Sequence, residues 1–216
     1  MSMEHKKRVF GMEKEETEDS IVLEYRVMKR DIKRRILYDS GIVPSRSIVR
    51  QFLDCLKADI SDSSSSGKDT TGDSVTIPGS RYLSGYNKYC YGAHRADAGE
   101  HNDDYGILIG TSDVAPTNSD YAMGSQITDG SDVGQLNYGQ MTFYDPLEEA
   151  GYIEITMART FYNAGSDNVT VKEIGLVVHH NFANKNFLWI RDVLDTPVTV
   201  EPAQTLTIQY IMKTKA

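Results

Sequence analysis

Cysteine is almost absent. Cys55 and Cys90 are the only two in 216 residues, too few for a disulfide-built scaffold. Cys55 falls on an apolar stripe and reads as a packed thiol, while Cys90 stands among tyrosines and glycines whose surroundings the sequence does not define. No run of about 18 apolar residues occurs, so no membrane-spanning helix is expected. The opening stretch MSMEHKKRVFGMEKEE lacks the apolar core of a secretory signal, and synthesis in a reducing cytoplasm is the expectation. Nucleotide and hydrolase signatures are missing as well: no GxxxxGK(S/T), HExxH, GxSxG or paired CxxC is present. Basic residues are scarce in the second half. Residues 1–102 carry 17 Lys+Arg against 16 Asp+Glu, whereas residues 103–216 carry 6 against 15, and the net charge is −8. That balance argues against nucleic acid as a general partner.

What the chain does have is strand patterning. In 151–213, Ile153, Ile155, Met157 and Phe161 share one parity and Glu154, Thr156 and Thr160 the other. Leu206, Ile208, Tyr210 and Met212 alternate in the same way with Thr205, Thr207 and Gln209. A period of two puts each set on one face of a sheet. Turns are expected at 163–168, 180–186 and 200–204. YGILIG from Tyr105 reads as a short buried strand, and the parity change between Leu136/Tyr138 and Met141/Phe143 points to a bulge near Gly139. Arg159 and the Arg191-Asp192 pair lie inside apolar strands, where charges either find partners or face solvent.

The first third reads differently. Residues 1–20 form a charged arm. Ile21, Tyr25, Met28, Ile32 and Ile36 recur at spacings of three to four, which predicts an amphipathic helix over 21–38. Arg26, Lys29, Arg30, Lys33, Arg34 and Arg35 crowd the rest of it, either as a solvated face or as a surface that docks an acidic partner. A second helix over 46–59, capped by Ser45 or Ser47, would carry Ile48, Phe52, Cys55 and Leu56. Together they form an expected helical anchor over 21–60. SDSSSSGKDTTGDS at 61–74 reads as a flexible linker, and 75–216 as the β domain. Tyr82, Tyr86, Tyr89 and Tyr91 provide stiff amphipathic area suited to a protein contact. The expected fold is therefore mainly β with N-terminal helices, an antiparallel, jelly-roll-like β-sandwich preceded by a helical hairpin.

YGILIGTSDVAPTNSDYAMGSQITDG (105–130), GQLNYG (134–139), ARTFYNAGSDNVTVKEIGLVV (158–178) and FLWIRDVLDTPVTVEPAQTLTIQYIMK (187–213) carry a resemblance to a group of virion structural proteins of tailed bacteriophages and related prokaryotic viruses. The last of these segments is the most specific, with Ala203 standing where a turn glycine is common. The resemblance implies a non-enzymatic, β-rich subunit without cofactor that acts by assembly; its place in the particle does not transfer, and the neck, tail or external head of a virion is the expectation. Its partners would be copies of itself and other virion proteins. Two further readings come from other classes. One is a glycan-binding module using Tyr82, Tyr86, Tyr89, Tyr91, Asn87 and His94. The other is a metal-assisted hydrolase using His94, His101, Asp103 and Asp104.

Overall fold

The computed structural model describes residues 21–61, 63–79, 94–149, 151–181 and 183–215. The N-terminal arm and the four tyrosines Tyr82, Tyr86, Tyr89 and Tyr91 lie outside the described residues. Among the described residues the fold is mostly antiparallel β with one short helix. In the larger sheet, β10 (Leu147–Glu149), β11 (Tyr152–Tyr162), β14 (Thr205–Lys215), β1 (Ile21–Arg30) and β2 (Ile36–Asp39) follow one another in that order. Along its margins β3 (Val43–Pro44) pairs with β1, and β8 (Asn137–Tyr138) and β9 (Thr142–Phe143) pair with β11. The second sheet runs β13 (Lys185–Val200), β12 (Val169–His180), β6 (His94–Arg95), with β7 (Gly106–Gly110) also on β12. One apolar cluster draws side chains from both, among them Val27, Phe161, Leu206 and Tyr210 from the first and Ile107, Ile174, Leu188 and Val200 from the second.

The C-terminal strands follow their alternation, and Leu206, Ile208 and Tyr210 are buried. On β11, Met157 and Phe161 are buried as their parity requires, but Ile153 and Ile155 are exposed. The bulge near Gly139 is present. Phe161 pairs with Tyr138 and Ala158 with Thr142, so two residues of β11 face three across the gap. The turn after β13 holds Ala203 at φ 62°, a left-handed conformation that costs a residue with a Cβ about 1 kcal/mol or more. Ala203→Gly is expected to raise stability by roughly 0.5–1 kcal/mol despite the added unfolded-state entropy, read as a shift of the urea midpoint at constant slope.

The helical hairpin is not there. Residues 21–30 form a strand, β1, paired antiparallel with β14 over ten residues from Ile21↔Thr214 to Arg30↔Thr205. Leu23, Tyr25 and Val27, a period of two, point into the core, while Ile32, which the helical stripe required inside, is 77% exposed. The two periodicities share Ile21 and Tyr25, and the partner strand decides between them. The second helix exists as α1 (Arg50–Ser61). It begins later than expected because Ser45 is used elsewhere: its Oγ donates to Asp192 at 2.8 Å. The amide of Arg50 finds the carbonyl of Asn118 instead. Cys55 and Ala58 of α1 close over Ile77, Val178 and Phe187, and burial pushes the Cys55 thiol up to about 12, as a packed thiol requires.

The linker is also corrected. Ser65–Lys68 (β4) and Ser74–Ile77 (β5) form a hairpin against α1. Its turn is held by the buried Asp69. The carboxylate accepts from the Thr71 amide at 3.0 Å, the Thr71 hydroxyl at 2.6 Å and the Asp73 amide at 3.1 Å, and pairs with Lys185 at 2.6 Å. A composition of Ser, Asp, Thr and Gly encodes turn hydrogen bonds as readily as a tether.

Candidate functional site

Of the two arginines inside apolar strands, Arg159 is the more enclosed. Its guanidinium donates to five backbone carbonyls: Gly139 at 2.7 Å, Tyr105, Ile107 and Gly99 each at 3.1 Å, and Asn102 at 2.5 Å. That uses all five N–H groups of the side chain. Burial lowers its pKa to about 10, so it remains charged at neutral pH. It ties the loop around Gly99–Tyr105 to the bulge of the opposite segment.

A second buried cluster centres on Glu173. Its carboxylate accepts from the amides of Gly124 at 3.0 Å and Ser125 at 2.7 Å and from Arg191 Nε at 2.7 Å. Arg191 extends on to Asp120 at 2.8 Å and to the carbonyl of Val114 at 3.1 Å. The turn-rich segment 111–125, which has no strand of its own, is thereby clamped to the second sheet. Asn163 does similar work at the next turn, donating to the carbonyls of Asp167 and Val200, each at 2.8 Å. Asp120, Arg159, Asn163, Glu173, Arg191 and Asp192 are spread along the second half of the chain. All six hold loops or strand ends.

Asp192 accepts from Ser45 Oγ at 2.8 Å and Tyr210 OH at 3.1 Å. Desolvation is the largest influence on it and raises its pKa in spite of these donors. A carboxyl whose folded pKa is raised contributes stability that is full below its unfolded pKa and is lost as pH rises through the folded one. Asp192→Asn is expected to remove this pH dependence. The stability difference between variant and parent, taken from urea unfolding at pH 4.5 and 7.5, should shift in favour of the variant at the higher pH.

The basic residues expected on one helix are spread over β1, which holds Arg26, Lys29 and Arg30, and the turn after it, which holds Lys33, Arg34 and Arg35. Arg26 is engaged by Asp39, whose carboxyl that hydrogen bond holds at about 2. Lys29 Nζ donates to the carbonyl of Thr199 at 3.0 Å, and Arg35 pairs with Asp31 at 2.6 Å. Lys33 and Arg34 sit exposed at the turn, beside exposed Ile32, Ile36 and Leu37. At the other margin of the same sheet, Phe143 of β9, Tyr144 just after it, Leu147 of β10, and Tyr152, Ile153 and Ile155 of β11 are all exposed.

The residues of the hydrolase reading are dispersed. His94 Nδ1 bonds Asp59 at 2.9 Å, His101 bonds Asp129 at 3.0 Å, and Asp103 accepts from the Asp129 amide at 2.8 Å. Among the described residues no group of three or more His, Cys, Asp or Glu is placed to hold a metal ion. His94, also a member of the glycan set, is buried, and desolvation lowers its pKa so that the ring is neutral. It lines an apolar cavity of about 270 Å³ bounded by Leu23 and Met157 of one sheet, Leu176 and Trp189 of the other, and Phe52 of α1. His179 Nδ1 meets Asn186 at 2.8 Å, and His180 is buried against Pro78 and Ala183.

Comparison with protein-family models, curated proteins and solved structures finds no match for this chain.

Proposed function

We propose that this chain is a structural subunit of a tailed-virus particle, in its neck, tail or external head, and that it works by assembling with copies of itself and with other virion proteins. In this reading the two sheets are the layers of an antiparallel sandwich, and the virion is the destination after synthesis in the host cytoplasm. The observation that carries it is one corner of the larger sheet, where Phe143, Ile153 and Ile155 are exposed on one face and Tyr144, Leu147 and Tyr152 on the other. Exposed apolar side chains gathered at one sheet corner are typical of interaction sites. The interior supports the same reading, since the buried charges serve to fix loops into a rigid body. The membrane plays no part in it; no helix among the described residues is long and apolar enough to cross one. The reading assigns the chain no turnover.

Particles purified from cells that make the chain provide the test. Peptide mass spectrometry should find it at a fixed ratio to the other particle proteins, and imaging at side-chain resolution should seat the apolar corner against a neighbour. A chain left wholly in the particle-free fraction would overturn the proposal.

A further inference from the structure

The larger sheet ends in two short strands of opposite character. At one margin lies β2 with the turn that precedes it. From the last residues of β1 to the end of β2, residues 29–39 read KRDIKRRILYD, five cations against two anions, and one of those anions, Asp39, is paired with Arg26. At the other margin lies β10, and residues 145–149 read DPLEE, three anions and no cation. Among the described residues β2 pairs only with β1 and β10 only with β11, so each presents a free backbone edge. Each also presents apolar side chains: Ile36 is 54% and Leu147 50% exposed.

We propose that the β2 margin of one copy docks on the β10 margin of a second copy, extending the sheet from subunit to subunit. The inference rests on the assembly reading and names its surface. Charge selects the pairing. Two β2 margins repel each other, as do two β10 margins, so the two-fold symmetric contacts are disfavoured and the head-to-tail contact is left. Strand direction agrees. β1 is antiparallel to β14 and β14 to β11, and β2 and β10 are antiparallel to β1 and β11. Both margins therefore run the same way, and copies in the same orientation bring them together in parallel. They occupy diagonal corners of the sheet. β10 lies level with Val22 of β1, through the pairs Glu154↔Lys213 and Val22↔Lys213, and β2 lies level with Lys29. Each contact thus shifts the next copy by about seven residues, roughly 23 Å along the strands. A head-to-tail contact closes as a ring or runs on as a helical row.

Charges on edge strands also serve to prevent association, and the two roles predict opposite results. The pair Lys33→Glu/Arg34→Glu and the pair Asp145→Lys/Glu148→Lys reverse one margin each, all on exposed side chains, and circular dichroism checks that both variants fold. In sedimentation velocity on the full chain, the parent should associate in a salt-sensitive manner. Each variant alone should associate about tenfold or more weakly, and an equimolar mixture of the two should regain the parent's behaviour. So should the fourfold variant, in which the margins are complementary again. Association that is unchanged or stronger in the single-margin variants would overturn the edge pairing and leave the assembly reading to its particle test. A parent that stays monomeric at about 100 µM would overturn it too. Loss in both variants without recovery in the mixture and the fourfold variant would show that the margins do not meet each other.

Discussion

A chain starting at residue 61 is expected to be unfolded or aggregated, with no cooperative transition in urea. β1 lies between β14 and the β2/β3 margin, and its Leu23, Tyr25, Val27 and Met28 are buried. Burial of each large apolar side chain is worth about 1.5–3 kcal/mol, so losing these four removes roughly 6–12 kcal/mol. A domain's whole stability is about 5–15 kcal/mol. The truncation also strips α1 from Ile77, Val178 and Phe187 and bares one full edge of β14. Far-UV circular dichroism and urea titration of the fragment read the outcome. A soluble fragment with a single sharp transition would mean that β1 is an addition to a sheet already stable without it.

Arg191→Ala is expected to cost about 3–5 kcal/mol, because it leaves the Glu173 carboxylate buried without its cation. Glu173 has no exposed surface, and three of its hydrogen bonds come from the backbone of the segment it clamps. Two comparisons separate the charge from the packing. Glu173→Gln, which keeps an oxygen for the Ser125 amide, should cost less. The double change Glu173→Leu/Arg191→Met should cost clearly less than the sum of its single changes, since neither charge is then stranded. Hydrogen exchange at Gly124 and Ser125 should speed up in Arg191→Ala before the rest of the sheet is affected. Equal costs for the double change and the summed singles would assign the two residues independent roles.

The C-terminal strands were legible because each records its burial locally, in the alternation of Leu206, Ile208 and Tyr210 with threonine and glutamine. β1 was not. Its Ile21, Tyr25 and Met28 fit a helical stripe, and its Ile21, Leu23, Tyr25 and Val27 fit a strand. What separates the two is a partner far along the chain, which no window of neighbouring residues contains. The hairpin of β4 and β5 was hidden by composition, since serine and aspartate look alike in a tether and in a turn braced by Asp69. Arg159 and Arg191 stood out as charges within strands, yet their partners did not: Glu173 looked like any alternating polar residue, and Asp120 and the carbonyls of Gly99 and Asn102 lie in loops without pattern. The basic residues were visible as a group, but a helix would have gathered them on one side, whereas the strand and turn disperse them and leave Lys33 and Arg34 at the tip.

The pairing of β1 with β14 also sets an order of events during synthesis. Val27 meets Ile208, 181 positions later. At translation speeds of about 5–20 residues per second, the strand emerges on the order of ten seconds or more before its mate exists. For that interval β1 has only the short strands β2 and β3 beside it, and the ring-closure entropy of its contact with β14 falls due only at the end. Productive folding of the larger sheet thus waits for β14, and a nascent chain at this stage is a natural client for a holding chaperone.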